Sequence, residues 1–208
     1  MTGVRAITLD RPRGDGLLAR AAWLAMRVAG WRVVTVDPLP RRCVVVFYPH
    51  TSNWDFAIGL LAKWVMDVEF HVMVKDTLFL PRWCAPWAIR VNRRERTGVT
   101  ATLAARFADE EVLRLVLAPE GTRRRTEHWK SGFYHLARSA GVPLALSFID
   151  YARRETGVGT CIALTRDAEA DMRTMAAFYA GKIGRHPTQA GPVRLEDAHG
   201  PPGGGVTR

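Results

Sequence analysis

The 208 residues suffice for one domain with a full hydrophobic core, and an apolar content of 48% is ordinary for a globular protein. Three cysteines, Cys43, Cys84 and Cys161, without close spacing suggest neither a disulfide framework nor a zinc site and fit a reducing compartment. A net charge of +10 implies acidic partners, either nucleic acid, anionic lipid or phosphorylated and acidic carriers, and the seven tryptophans suit base stacking or a membrane interface.

Residues 1–16 read as a loose polar lead-in. Arg5, Arg11 and Arg13 are followed by no apolar core of signal-peptide form, so no secretory leader is expected. Residues 17–29 have helical character and stop at Gly30. Leu17, Leu18, Ala21, Leu24, Ala25 and Val28 share one side and Arg20 and Arg27 another. Such an amphipathic helix either lies on an anionic membrane surface or packs on the core with its arginines in water. It is too short and too charged to span a bilayer, which takes roughly 20 apolar residues.

Residues 43–48 form a β-branched apolar run, a buried strand stopped by Pro49. Ser52 or Asn53 is then suited to cap a helix over 54–66 whose apolar face holds Ile58, Leu61, Ala62 and Val65. His50 therefore sits in a strand-end loop, and Asp55 falls in the first helical turn. Asp55 can accept a hydrogen bond from one imidazole nitrogen and leave the other free as a general base. Alternatively, His50 caps the helix and Asp55 only complements its positive end.

A strand is expected at 69–74. Pro81 and Pro86 forbid a long regular element within 77–89, where Leu78, Phe79, Leu80, Trp83 and Trp87 form either a core flap or part of an acyl or membrane contact. Residues 90–96 are a dense basic patch. A helix at 99–109 and a strand at 113–117 lead to Pro119-Glu120-Gly121-Thr122-Arg123. Gly121 permits close backbone approach, and Arg123 can fork onto a phosphate or carboxylate. Glu120 can orient that arginine or bind a substrate hydroxyl. Taken alone, the loop reads first as a tight turn with a solvated salt bridge. Lys130 precedes a helix at 131–140 and its free backbone amides.

Strands at 142–149 and 158–164 and a helix at 168–182, with Met172, Met175, Ala176 and Tyr179 inward, complete a domain over 17–185. Residues 186–208 follow as a flexible tail, richest in glycine and proline from Ala198 on. The alternation of strands and helices predicts one α/β domain with a central, mostly parallel or mixed sheet flanked by helices. Loops at the strand ends of such sheets hold ligands. The chain has no Gly-x-Ser-x-Gly elbow, no cysteine near a histidine in sequence and no glycine-rich nucleotide loop. A substrate hydroxyl activated by His50 is therefore simpler than a covalent enzyme intermediate.

These residues resemble the glycerolipid acyltransferases of the lysophosphatidic acid (1-acylglycerol-3-phosphate) acyltransferase superfamily, in a compact bacterial branch. His50 and Asp55 meet its His-x-x-x-x-Asp signature, and Glu120, Gly121, Thr122 and Arg123 meet Glu-Gly-Thr-Arg unchanged. Trp87-Ala88-Ile89-Arg90-Val91-Asn92-Arg93 stands where the family has a Gly-Gly-Ile-x-Val-Asp-Arg block; Arg93 matches, the glycines and the aspartate do not. Val142-Pro143-Leu144 and Lys130-Ser131-Gly132-Phe133 are similar to two further family blocks.

The resemblance implies transfer of a fatty acyl group from acyl-CoA or acyl carrier protein to the hydroxyl of a lysophospholipid, 1-acylglycerol 3-phosphate first among them. His50 would be the base and Asp55 its orienter, with Glu120, Gly121, Thr122, Arg123, Arg93 and Lys130 binding the acceptor. It implies no metal and no cofactor beyond the acyl donor. It also implies a cytoplasmic, peripheral place on the anionic inner face of the cell membrane, and no nucleic acid. The departures at Trp87, Ala88 and Asn92 leave room for another acceptor, such as a glycolipid, lyso-ornithine lipid or other lysophospholipid. A basic nucleic-acid-binding protein would account for the charge and the tryptophans but not for two catalytic-looking loops.

Overall fold

The computed structural model describes residues 5–75, 87–91 and 98–196. In chain order these give β1 (Arg5–Thr8), α1 (Leu17–Val28), β2 (Arg32–Asp37), β3 (Arg42–Tyr48), α2 (Trp54–Met66), β4 (His71–Lys75) and β5 (Ala88–Val91). α3 (Val99–Asp109), β6 (Leu113–Leu117), α4 (Gly132–Ala140), β7 (Leu144–Asp150), β8 (Glu155–Ile162), α5 (Ala168–Tyr179) and a 3₁₀ turn at Pro187–Gln189 follow. The strands form one mixed sheet in the order β1-β2-β8-β7-β3-β6-β4-β5. Only β1–β2 and β7–β8 pair antiparallel within it.

The centre of the sheet positions the site. β3 lies between β7 and β6 and runs parallel to both, in the registers Tyr48↔Phe148 and Val46↔Leu117. The C-terminal ends of these three strands therefore open on one edge. Helices cover both faces, so β3 reads as a continuous apolar run rather than an alternation. Val44, Val46 and Tyr48 pack with Phe107, Trp129, Leu136, Met175 and Tyr179 on one face. Cys43 and Val45 pack with Ala22, Met26, Ala62, Val65 and Met66 on the other.

Three strands escape the sequence reading. Residues 5–8 are not loose but form β1, an edge strand on β2. β2 carries its signal openly in Val33-Val34-Thr35-Val36, all buried, yet the arginines and tryptophan around it suggest surface. β5 pairs parallel with β4 although it lies in the stretch expected to be irregular. Part of the stretch expected as a flexible tail is also folded. Residues 186–196 fold back on the domain, with a bridge between Trp129 and Leu195, whereas residues 197–208 lie outside the described residues. So do residues 76–86, with most of the aromatic stretch and Cys84, and residues 92–97, with Arg93 and most of the basic patch.

α1 packs through Ala19, Ala22 and Met26, which lie opposite the leucine side. Leu17 and Val28 are 84% and 81% exposed, and Leu18 and Leu24 are also exposed. Ala22 and Met26 pack with Ala62, Val65 and Met66 of α2, and the richer apolar stripe faces outward. No helix among the described residues is long and apolar enough to cross a membrane.

Candidate active site

β3 delivers the chain through Tyr48 and Pro49 to His50 at the sheet edge. α2 then begins at Trp54, and its second residue, Asp55, points back into the loop. Oδ2 of Asp55 lies 3.1 Å from Nδ1 of His50 and accepts the backbone N–H groups of Thr51 at 2.8 Å and Ser52 at 2.9 Å. Oδ1 accepts the phenol of Tyr151 at 2.7 Å. Asn53 holds the N-cap position without a side-chain bond, while Ser52 Oγ accepts the Trp54 N–H at 3.2 Å. Asp55 thus organises the turn before its own helix and orients the imidazole with the same oxygen.

An ionised carboxylate can only accept, so Nδ1 of His50 carries the proton and Nε2 keeps its lone pair. Nε2 makes no hydrogen bond among the described residues, and the side chain is 23% exposed. Burial pushes the pKa of Asp55 up, but the hydrogen bonds from His50, Tyr151 and the Ser52 amide outweigh it and hold the carboxyl below its ordinary value. The linkage follows in sign: a depressed carboxylate contributes stability that is present above its unfolded pKa and lost as pH falls through the folded one. The Tm advantage of the wild type over Asp55→Asn should therefore shrink as pH falls below about 5, through the ordinary carboxylate range and beyond it. Thermal melts across that range check it; a constant difference would contradict the depressed pKa.

Glu120 reaches the same place from the end of β6. It is 1% exposed, and its carboxylate faces neither Arg123 nor open space. Oε2 accepts the His50 backbone N–H at 2.9 Å and Oε1 the Gly191 N–H at 3.3 Å. Burial raises its pKa against the pull of these two amides. Gly191 is held further by the Tyr48 hydroxyl, which donates to its carbonyl at 2.7 Å, and a Cβ there would collide with the Thr126 carbonyl oxygen. Gly121 has a φ of +66°, the left-handed region that favours glycine, and a Cβ would stand 3.0 Å from Cε and Nζ of Lys130. Thr122 is exposed, and its hydroxyl accepts the Arg124 N–H at 3.2 Å.

Two cavities lie beside the turn that follows His50, and neither His50 nor Asp55 lines either of them. The first, 480 Å³, is lined by Thr51, Ser52, Asn53 and Trp54 on one side and by Arg123, Arg124, Arg185, His186 and Gln189 around the rest. Neither Arg123, Arg124 nor Arg185 is paired with a carboxylate among the described residues, whereas Arg125 is engaged by Glu127. Three unneutralised guanidinium groups around one cleft suit an anion such as a phosphate. The second cavity, 520 Å³, runs between Ala25 and Met26 of α1, with Ala29 just after it, and Ala57, Ile58 and Leu61 of α2, and is closed by Trp31 and Tyr151. Trp54 and Arg185 line both, with the guanidinium 5.8 Å from the Trp54 ring.

A comparison with protein families matches residues 31–145 to the family described as Acyltransferase. The chain belongs to the acyltransferase family. A comparison with curated proteins found no match. Among solved structures, the chain is similar to the 1-acyl-sn-glycerophosphate (LPA) acyltransferase PlsC from Thermotoga maritima. That likeness has a TM-score of 0.52 at 15% identity over 76% of this chain and 72% of the other, and it concerns the fold.

In this acyltransferase the sheet edge gathers His50, Asp55, Glu120, Gly121, Arg123 and Lys130, while Arg93 lies outside the described residues. Sequence reasoning missed Tyr151, Arg185, His186, Gln189 and Gly191. The last four belong to the stretch after α5, where a backbone folded over the site carries them. The Gln189 amide faces the carbonyls of Arg123 at 2.7 Å and Thr51 at 3.1 Å, two acceptors that require its nitrogen, not its oxygen, on that side. Arg185-His186 gave a weak signal, a basic pair next to a proline, with nothing to distinguish it from the other charge runs.

Proposed function

We propose that the chain transfers a fatty acyl group from the thioester of acyl-CoA or acyl carrier protein to the free hydroxyl of a lysophospholipid, with 1-acylglycerol 3-phosphate as its principal acceptor. The observation that carries this reading is the pairing of a His50–Asp55 dyad with an arginine-lined cleft and an apolar groove that share Trp54 and Arg185. A phosphate and an acyl chain, the two ends of one lipid, have complementary places on either side of that junction. Nε2 of His50 takes the hydroxyl proton as the oxygen attacks the thioester carbonyl carbon. Asp55 stabilises the imidazolium that forms. The tetrahedral intermediate collapses with cleavage of the C–S bond, the leaving sulfur takes the proton from His50, and an ester and a free thiol result.

Arg123, assisted by Arg124, Arg185 and Lys130, binds the acceptor phosphate in this scheme, with Arg93 as a further ligand. Glu120 acts by holding the His50 and Gly191 backbones rather than by touching the acceptor. The exposed Leu17, Leu24 and Val28, with Arg20 and Arg27 beside them, give α1 a face for an anionic lipid surface, and the half-exposed Trp54 and Phe56 add to it. In this reading the enzyme works peripherally, on the inner face of the cell membrane.

The test is product identification by mass after incubation with acyl-CoA and a panel of lysolipids in anionic vesicles. The highest kcat/KM is expected with 1-acylglycerol 3-phosphate. Arg123→Ala should raise the KM for that acceptor about tenfold or more, the order of one charge-assisted hydrogen bond, while leaving a zwitterionic lysolipid little affected. Preference for a glycolipid or aminolipid would replace the acceptor. Absence of transfer to any lysolipid, together with salt-sensitive nucleic-acid binding, would overturn the reading.

A further inference from the structure

Tyr151 is the first residue after β7. Because β7 runs parallel to β3 in adjacent register, the two strands end side by side, and Tyr151 arrives next to the His50 loop from across the sheet edge. Its hydroxyl donates to Oδ1 of Asp55 at 2.7 Å. The Asp55 side chain has no exposed surface, and its other oxygen is occupied by His50 and two backbone amides. Tyr151 is thus the single donor to Oδ1 among the described residues.

The tyrosine is itself held firmly. Its backbone N–H donates to the Ile183 carbonyl at 2.8 Å, and Trp31 packs edge-on to its ring at 5.1 Å. The turn that follows is fixed by Asp150, wholly buried, whose carboxylate accepts the Ala152 N–H at 3.0 Å and the Arg153 guanidinium at 3.1 Å.

We propose that Tyr151 is a positioning residue of this acyltransferase, a third member of the His50–Asp55 arrangement, whose phenol holds the carboxylate in the rotamer that presents Oδ2 to Nδ1 of His50. The proposal rests on the reading of His50 as the base. No residue of the family signatures supplies this contact. The tyrosine comes from a different strand end, and its ring also walls the apolar groove. Burial and the bond to Asp55 push the phenol pKa well above its ordinary value, so it stays a donor throughout the working range. The same bond helps keep Asp55 ionised.

The charged groups facing this arrangement are His50 after β3, Glu120 after β6, and Arg185 from the stretch after α5, whose guanidinium lies 6.0 Å from the Tyr151 ring. Removing the phenol has two consequences of one sign. The carboxylate charge, no longer shared with Tyr151, acts more strongly on the imidazolium. Asp55 itself also binds a proton more readily. Both move the acid limb of the pH–rate profile to higher pH.

The test is Tyr151→Phe, which keeps the ring and the groove wall. A fall in kcat of about ten- to hundredfold is expected, the order of a hydrogen bond to a buried charge, with both KM values within about twofold. The acid limb should move up. In a His50→Ala background the substitution should cause no further loss, because both act through one group. The His50 imidazole titration, followed by NMR and assigned by its loss in His50→Ala, should move up in step. Unchanged kcat with an unchanged titration would overturn the proposal, and so would a loss confined to KM, which would make Tyr151 a groove residue only. If the wild type transfers no acyl group while the His50 titration still moves, the functional reading fails and the positioning role stands.

Discussion

Replacing His50 with alanine is expected to lower acyl transfer by about two to four orders of magnitude, the range that a positioned general base contributes, with little loss of stability. The separation of the two effects follows from which atoms do what. The contact that ties this loop to Glu120 is made by the backbone N–H of His50, so it survives the substitution. Asp55 keeps the Thr51 and Ser52 amides and the Tyr151 phenol, so no buried carboxylate is left bare. What disappears is Nε2, the one basic lone pair at the sheet edge presented by an oriented imidazole. Single-turnover assays with an acyl thioester and the lysolipid acceptor, paired with thermal melts, measure both quantities. Turnover within a few-fold of the wild type would remove His50 from the mechanism.

Replacing Glu120 with alanine should do the reverse and unfold the protein more readily, by about 2–5 kcal/mol, through two buried N–H groups left without partners and the cavity beside them. The carboxylate joins two segments distant in sequence, the His50 loop and the turn at Gly191. Glu120→Gln keeps the shape but offers one acceptor where two are needed, and turns an amide N–H₂ toward a second donor. It should fall between the wild type and alanine in chemical denaturation. Activity should drop as well, because the base stands on the backbone that Glu120 fixes. The opposite result, an unchanged denaturation midpoint with a raised acceptor KM, would return Glu120 to the acceptor contact that its place in the Glu-Gly-Thr-Arg signature suggests.

The contrast between these residues shows where a linear reading succeeds. His50 and Asp55 lie within one strand-to-helix turn, so their relation is set by local geometry that spacing encodes. His50 makes no capping bond to α2 among the described residues; the Asp55 oxygen that orients it also holds the Thr51 and Ser52 amides of the preceding turn. Glu120 and Arg123 share a motif but part company in space: one is buried on backbone amides and the other lines the cleft. Four residues of sequence do not state which side of a loop faces inward.

α1 makes the same point. Periodicity identifies its apolar side, but whether that side meets the core depends on how closely a neighbouring helix can approach. Here the face of Ala22 and Met26 makes the contact with α2, and the leucines turn outward.

By itself, then, the sequence determined the α/β alternation, the helix over 99–109, the buried central strand and the dyad at its end, because each rests on interactions between residues a few positions apart. Only the tertiary structure decided that β3 lies between two parallel neighbours, so that Tyr151 comes to Asp55 and Glu120 to the His50 backbone at one edge of the sheet. It also decided that the chain after α5 folds over that edge, carrying Arg185 and Gly191 into the site. Those placements depend on strand order and on contacts across the sheet, and neither leaves a periodic signal in the chain.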